Sequence, residues 1–525
     1  MSMTALTPLI VGIDLGTSTS AIGYWLVRGE SGLVQLVNGQ MGRAYISSTV
    51  VADVRHTPPR WIAGDTAMTA STHPDLAPYA IPSAKRRLGR EKTLTLGPTL
   101  TGPEITVTPS EVLSKVLNEL SQMVGRLGGF TIGKAVVVVP MIYRAEEREL
   151  TREAVRLAGI ELLELIEEPT AAAMCYVQES ASAFHRTATG DRILVFDMGG
   201  GTTDLTLFEM VDTEVTDGKP QVRVDVIWTG GDRMLGGDDI DQLILHHFKN
   251  LPEAPLTVPN PLPPRIGGPL MSRIEEFKVQ LSNSAQAGST APISLSFESG
   301  GIDFFVEMTP AEFTELIVNS AQASRIRAQL ASVPRDQPIK RVMMVGGSSR
   351  IRAWATSIGE QFPGVEIVSD VPVQEAVVRG ATYRAVELAK ATTSATMRSV
   401  ALRNRGVVHG SVAVIADDPE SDRETPVHLL AHGTRYPTAP VKFEKFETTT
   451  DTPSLDFVLL NADTSGGSEI LGTISLGILP KGTEISIGID VNGDGEFKVN
   501  AKWEGGTKDA VLHRPRPLDD LVVVG

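Results

Sequence analysis

The sequence predicts an α/β protein built on a duplicated unit and followed by a smaller all-β domain. Three observations lead there. Apolar strand segments alternate with helical stretches between residues 10 and 390. A pattern of apolar strand, aspartate, glycine turn and hydroxyl residues occurs twice in that stretch. Near residue 391 the helical periodicity stops, and short alternating segments take over.

The elements follow in order. A strand opens the chain at residues 9–14, and continuous apolar strands follow at 135–139, 193–196 and 341–345. Such runs suit sheets covered on both faces. Helical periodicity marks 109–127, 145–158, 237–248, 271–282, 310–330 and 374–390,. Residues 391–399 are small, polar and unpatterned, so the expected division is 1–390, a linker at 391–400, and a second domain at 401–525,. That domain shows alternation at 411–415, 442–448, 454–460, 469–476, 484–490 and 496–503, with a last strand pattern at 521–524. Gly, Pro, Asn and Asp clusters separate the segments, as in a β-sandwich.

Composition narrows the function. The 525 residues include 48 Lys and Arg against 63 Asp and Glu, a net charge of −15. This balance argues against nucleic acid or an anionic membrane as the main partner. The sole cysteine, Cys175, excludes a disulfide framework and a thiolate zinc site, and is expected to be a small core residue,. No apolar run reaches the ~20 residues of a membrane span. Residues 1–8 lack a charged start and a long apolar stretch,. A cytoplasmic location is therefore expected.

The repeat carries the chemistry. Ile10-Val-Gly-Ile-Asp14-Leu-Gly16-Thr17-Ser18-Thr19 matches Ile193-Leu-Val-Phe-Asp197-Met-Gly199-Gly200-Gly201-Thr202-Thr203-Asp204, with the aspartates 183 residues apart. Glycine turns let a backbone approach a ligand and aim successive N–H groups at an anion. The hydroxyls add donors. Two carboxylates beside a polyphosphate need a hard cation between them, and Mg²⁺, which keeps much of its water, suits that place. A nucleotide held between two halves is the expectation.

These turns resemble the two phosphate motifs of the actin-like ATPase superfamily, which includes sugar kinases, actins and DnaK-type chaperones. Further segments are similar to the DnaK-type 70-kDa heat-shock proteins. They are Ala84-Lys85-Arg86-Arg87-Leu88-Gly89-Arg90, Val139-Pro140 with Glu147-Arg148, and Glu167-Glu168-Pro169-Thr170 with Ala171-Ala172-Ala173. Gly231-Asp232 with Leu235-Gly236-Gly237 and Val345-Gly346-Gly347-Ser348-Ser349-Arg350-Ile351 complete the set. The likeness runs from about residue 9 to 390, and weaker likeness to the family's β-sandwich covers 434–448, 471–482 and 489–502.

The resemblance implies a two-lobed, actin-like ATPase domain of duplicated ribonuclease H-like units, then a substrate-binding β-sandwich. It implies ATP or ADP with Mg²⁺ and K⁺. Lys85 would reach the γ-phosphate, Glu168 would orient water on Mg²⁺, and Asp197 and Thr202 would help place the attacking water. Asp14 and Asp197 would hold Mg²⁺ through water. Gly16, Thr17, Ser18, Thr19, Gly199, Gly200, Gly201, Thr203 and Gly231 would surround the phosphates. Glu275, Lys278 and Ser282, on one helical face, would hold the adenosine opposite Gly346, Gly347, Ser348 and Arg350. Pro140 and Arg148 would form the switch that reports the nucleotide to the other domain. By themselves, Lys85 reads as part of a solvated basic run and Glu168 as an acid favoured at a helix start.

The chain also departs from the family pattern. Val279 replaces an adenine-stacking arginine, and Gln374 replaces an aspartate. No helical lid follows the β domain as given, so bound peptide should exchange faster. The linker region is basic, with Arg398, Arg403 and Arg405, while Glu164 and Glu167 stand where the family has an arginine and an asparagine. A charge-reversed contact between those acids and a linker arginine is expected. The partners implied are extended apolar peptides or one dedicated client, together with atypical J-domain and nucleotide-exchange proteins. A nucleotide-switched binder of a single partner and a small-molecule kinase are the alternatives.

Overall fold

The computed structural model describes residues 6–512 apart from 29–30, 40, 98–102, 142, 144, 180–188, 217–218, 233, 251–263, 300–301, 369–373, 390–398, 405, 408–410, 419–422, 432–433, 437, 450–452, 461–467 and 493–496. The linker stretch 391–398 and the expected strand at 521–524 lie outside the described residues.

The duplication in sequence is a duplication in topology. In the first lobe, Glu161–Glu167 pairs in parallel with Phe130–Val139, which pairs in parallel with Thr7–Leu15. Thr7–Leu15 then turns into the antiparallel Thr19–Arg28 and Ser31–Leu36. The second lobe repeats this order with Glu366–Val368, Ile339–Val345, Arg192–Met198, Thr203–Thr216 and Lys219–Asp232. Asp14 and Asp197 therefore occupy matching places near the ends of the two central strands, facing Val138 and Val345 of their parallel neighbours.

Helices cover the sheets. Thr108 caps Pro109–Arg126 by accepting from the Glu111 N–H, while the Glu111 carboxylate accepts from the Thr108 N–H at 2.8 Å,. The helix turns Val112, Val116, Leu120 and Met123 into the first lobe's core,. Ala376–Leu388 crosses back from the second lobe onto Thr7–Leu15 and Glu168–Glu179. Gly380 makes that crossing close, since a Cβ there would strike the Ala171 carbonyl. A core shared by both sheets, including Val136, Val138, Ala172, Val195 and Phe208, joins the lobes beneath the aspartates.

The expected helix at 310–330 is two helices, Pro310–Val318 and Ala321–Ser332. Ser320 makes the break. Its hydroxyl accepts from the Ala323 N–H at 3.0 Å, so it starts a new helix,.

The second domain is a sandwich. One sheet runs Arg423–Leu430, Ser411–Asp418, Ser454–Leu460, Ser468–Ser475, and the other runs Val441–Glu447, Glu484–Val491, Phe497–Trp503, Gly506–Leu512. Val412, Phe457 and Leu471 of the first sheet meet Ile487, Ile489 and Val499 of the second. Sequence periodicity missed Arg423–Leu430 and Gly506–Leu512. Both are edge strands, where Pro426 and charged residues are tolerated and the apolar alternation is weak.

Residues 399–404, which the sequence splits between linker and second domain, form a strand of the second lobe instead. Ser399–Asn404 pairs in parallel with residues 221–225 of Lys219–Asp232, extending that sheet by one strand. Gly406–Val407 then pairs with Arg435–Tyr436, beside the same Lys219–Asp232 strand.

Candidate functional site

The two glycine turns face each other across one cleft. Ser48 props the first, donating its hydroxyl to the Gly16 carbonyl at 2.8 Å. The second is closed by the Gly199 N–H on the Thr202 carbonyl, at 3.1 Å. The start of the Gly237–Lys249 helix also holds it, with the Gly237 and Asp238 N–H groups donating to the Gly199 and Gly200 carbonyls. A side chain on Gly200 would run into the Ser18 hydroxyl, and one on Gly201 into Thr17 and Arg86. Glycine is needed at both places because the two turns nearly touch.

Lys85 enters this cleft from a single turn, Lys85–Arg87. Its Nζ lies 2.7 Å from Glu168 Oε1, and the side chain is only 6% exposed. Tyr143 supports it, donating its hydroxyl to the Lys85 carbonyl at 3.1 Å, with its ring 6.0 Å from the ammonium. Burial alone would lower the Lys85 ammonium, but Glu168, Asp14 and Asp204 outweigh it and hold it above its usual range,. The basic run is therefore divided. Lys85 is internal, while Arg87 is exposed.

Carboxyl groups crowd the same floor. Burial pushes Asp14 up to about 7, against the pull of Lys85 and with the help of Glu168. Burial raises Asp197 strongly, and Glu168, Asp204 and Asp14 add to it. Four carboxyls thus share one ammonium. Asp204 was not among the residues singled out from sequence, although it closes the second copy of the repeat. The signal was its cross-strand register, which sets it opposite Asp197.

Arg86 was also passed over. Its guanidinium crosses the cleft, donating to the Gly201 carbonyl at 2.6 Å and to Asp239 at 2.9 Å. Ser18 donates to Asp238 at 3.3 Å, and Tyr45 to Gln374 at 2.6 Å. These bonds hold the cleft in a closed arrangement.

The segments expected to hold adenosine converge on the second turn. Lys278 donates to the Gly237 carbonyl at 3.0 Å and pairs with Asp241 at 2.9 Å. A side chain on Gly237 would meet both the Ser348 hydroxyl and that ammonium. The Arg350 carbonyl accepts from Gln286 at 2.6 Å and from Ser282 at 3.5 Å. Gly346 has φ +79°, and a Cβ on it would strike Asp197 Oδ1. Glu275 is partly exposed on the face it shares with Lys278, and Gly347 lies against Gln374.

The Hsp70 protein family model matches residues 10–403, from the first central strand to the strand that extends the second lobe's sheet. The chain belongs to the Hsp70 family. ATP binding, ATPase activity and chaperone-type action are general properties of that family, and its actin-like lobes and β-sandwich are those described above. In this Hsp70, the other expected residues make the following contacts. The Thr203 hydroxyl turns inward, donating to the Leu235 carbonyl at 2.8 Å. Gly231, at φ +140°, is accounted for by the Thr203 carbonyl packed against it. Arg148 is buried and donates to Glu167 at 2.8 Å, directly before Glu168 in the chain. Pro140 lines a cavity with Lys85.

The expected charge-reversed linker contact falls on arginine side chains outside the described residues. Among the described residues, Glu164 is engaged by Arg384 at 2.6 Å, and Glu167 by Arg148 at 2.8 Å. Arg398 and Arg405 lie outside the described residues. Among the described residues, Arg435 pairs with the buried Asp225 at 3.1 Å and so joins lobe and β domain. Among the described residues no helix is long and apolar enough to cross a membrane.

Proposed function

We propose that this Hsp70 hydrolyses ATP in the cleft between its lobes and uses the nucleotide state to set how its β-sandwich holds client. The buried Lys85–Glu168 pair, at the point where the two glycine turns meet, supports this most. Backbone N–H groups of the turns, with the hydroxyls of Thr17, Ser18 and Thr19, receive the phosphates of ATP or ADP. Lys85 offsets charge that grows on the γ-phosphate in the transition state. Glu168, Asp197 and Thr202 orient the water for in-line attack. Lys278, Ser282, Glu275, Gly346, Gly347, Ser348 and Arg350 grip the nucleoside.

The donor set fits Mg²⁺. Four carboxyls around one ammonium leave excess negative charge, and the raised Asp14 and Asp197 mark where a cation relieves it,. Asp14 and Asp197 would hold the ion's water shell, and the ion would neutralise phosphate oxygens.

Signalling follows from adjacency. Glu168 follows Glu167, which holds Arg148, so a shift at the γ-phosphate reaches the Pro140 and Arg148 elements directly. Lys219–Asp232 begins beside the Ser399–Asn404 strand and ends against Thr203, linking the β domain's attachment to the second turn. The clients proposed are extended apolar peptides, with J-domain and exchange partners adapted to this chain.

ATP turnover of the full chain, with and without a panel of unfolded apolar peptides, tests this. Lys85→Ala should lower turnover about 100-fold or more while ADP binding changes only a few-fold. Peptides should raise wild-type turnover. Equal turnover in Lys85→Ala and wild type refutes the catalytic assignment. Response to one folded protein and to no peptide favours a dedicated-partner switch instead.

A further inference from the structure

A cavity of about 40 Å³, partly open to solvent, lies beside the phosphate turns. Thr17 and Thr202 of the two turns, together with Lys85, form one part of its wall, and Arg90, Tyr143 and Glu147 form another. The residues assigned to the nucleoside, Glu275, Lys278, Ser282 and Arg350, are absent from it. Exposure grows along it. Lys85 and Thr17 are 6% and 8% exposed, whereas Arg90, Tyr143 and Glu147 are partly open to solvent. Glu147 rests against Gly89, whose φ of +68° and missing side chain leave it room.

Contacts between the lobes bridge the rest of the cleft, with Arg86 shared between them and the cavity wall. Arg86 ties the Gly201 carbonyl and Asp239 to the first lobe, Ser18 reaches Asp238, and Tyr45 reaches Gln374. Hydrolysis breaks the bond between the γ-phosphorus and the bridging oxygen. The water oxygen becomes the fourth oxygen of orthophosphate, ADP keeps the bridging oxygen, and the proton passes to solvent. Orthophosphate is then confined between Lys85 and ADP, which itself blocks the way back toward the nucleoside.

We propose that this cavity is the exit passage for orthophosphate, with Arg90 as its outer anion-binding group and Glu147 as the opposing charge that keeps phosphate from lodging there. Phosphate leaves by it while ADP stays bound. The proposal rests on the ATPase reading above. Lys85 and Arg86 on this wall are paired with Glu168 and Asp239, so the outward pull on a dianion rests on Arg90 toward the mouth, and it is strongest at low ionic strength,. Glu147 weakens the last stop.

The test uses the full chain loaded with ADP and Mg²⁺, with inorganic phosphate as the probe. Its association is followed at low salt, and acid-quenched cleavage of ATP is compared with phosphate release in a single turnover. Arg90→Glu should slow phosphate association with the ADP complex about tenfold, and Arg90→Gln by less. Glu147→Gln should speed it about threefold. Cleavage, and ADP association measured without phosphate, should stay within twofold in all three variants. Opposite signs at Arg90 and Glu147 separate a charge effect from damage to the fold, and equal unfolding midpoints check this independently. Phosphate kinetics unchanged in Arg90→Gln and Glu147→Gln overturn the exit route. So do phosphate and ADP association that shift together. A wild-type chain that does not cleave ATP overturns the ATPase reading instead.

Discussion

On the cleft floor, the Asp14 carboxyl ionises at about 7 rather than near the usual value of about 4, chiefly because burial disfavours its charge,. Between those limits the folded protein holds a proton that the unfolded chain has released. Stability supplied by this group is therefore complete below pH 4 and lost as pH rises through 7. In the ligand-free protein, Asp14→Asn should stabilise by about 1–2 kcal/mol at pH 8 and by nothing measurable at pH 4, read from urea unfolding. The same variant should lose the stabilisation that Mg²⁺ and ADP together give the wild type. A variant less stable than wild type at pH 8 would contradict the electrostatic picture. Gly346 makes a sharper demand, because φ +79° and the approach of Asp197 both exclude a side chain. Gly346→Ala should cost about 1–3 kcal/mol and weaken ADP binding, checked by unfolding and by calorimetry.

At the scale of elements, local capping chemistry decides where helices stop. A single apolar period runs through 310–330, yet the Ser320 hydroxyl offers its N–H partner a better place at a helix start than inside one,. Ser320→Ala should destabilise by about 1 kcal/mol, with no effect on ATP turnover. A loss of turnover without loss of stability would mean that the helix pair reaches the site in some other way. The Ala376–Leu388 helix shows the reverse dependence. Its small residues matter for what they let approach, and Gly380 against Ala171 sets the position of the helix that begins with Glu168.

Across the whole molecule, contacts between the β domain and the second lobe include the added strand, Gly406–Val407 beside Lys219–Asp232, and the Arg435–Asp225 pair. Asp225 is buried and Arg435 half-exposed, so losing the arginine leaves a buried acid with less compensation,. Arg435→Ala should reduce peptide stimulation of turnover several-fold while basal turnover stays within twofold. The double variant with Asp225→Asn should recover part of that loss if the two act as a pair. Additive losses in that cycle would show that they act separately. Glu164→Arg would place two arginines together at Arg384 and should lower the stability of the lobe, read from urea unfolding.

The sequence by itself determined the duplicated α/β plan, the two facing turns, the acids at their strand ends, and the change to β structure near residue 400. Those features are written in local patterns: apolar runs, glycine turns and repeated motifs. Only the tertiary structure decided that Lys85 is internal while its neighbour Arg87 is exposed, that Asp204 and Arg86 join the site, and that Thr203 turns away from it. It also decided the partners of Glu164 and Asp225. A charged side chain's role depends on which groups stand within a few ångströms, and strands far apart in the chain supply those groups. No local pattern encodes that register.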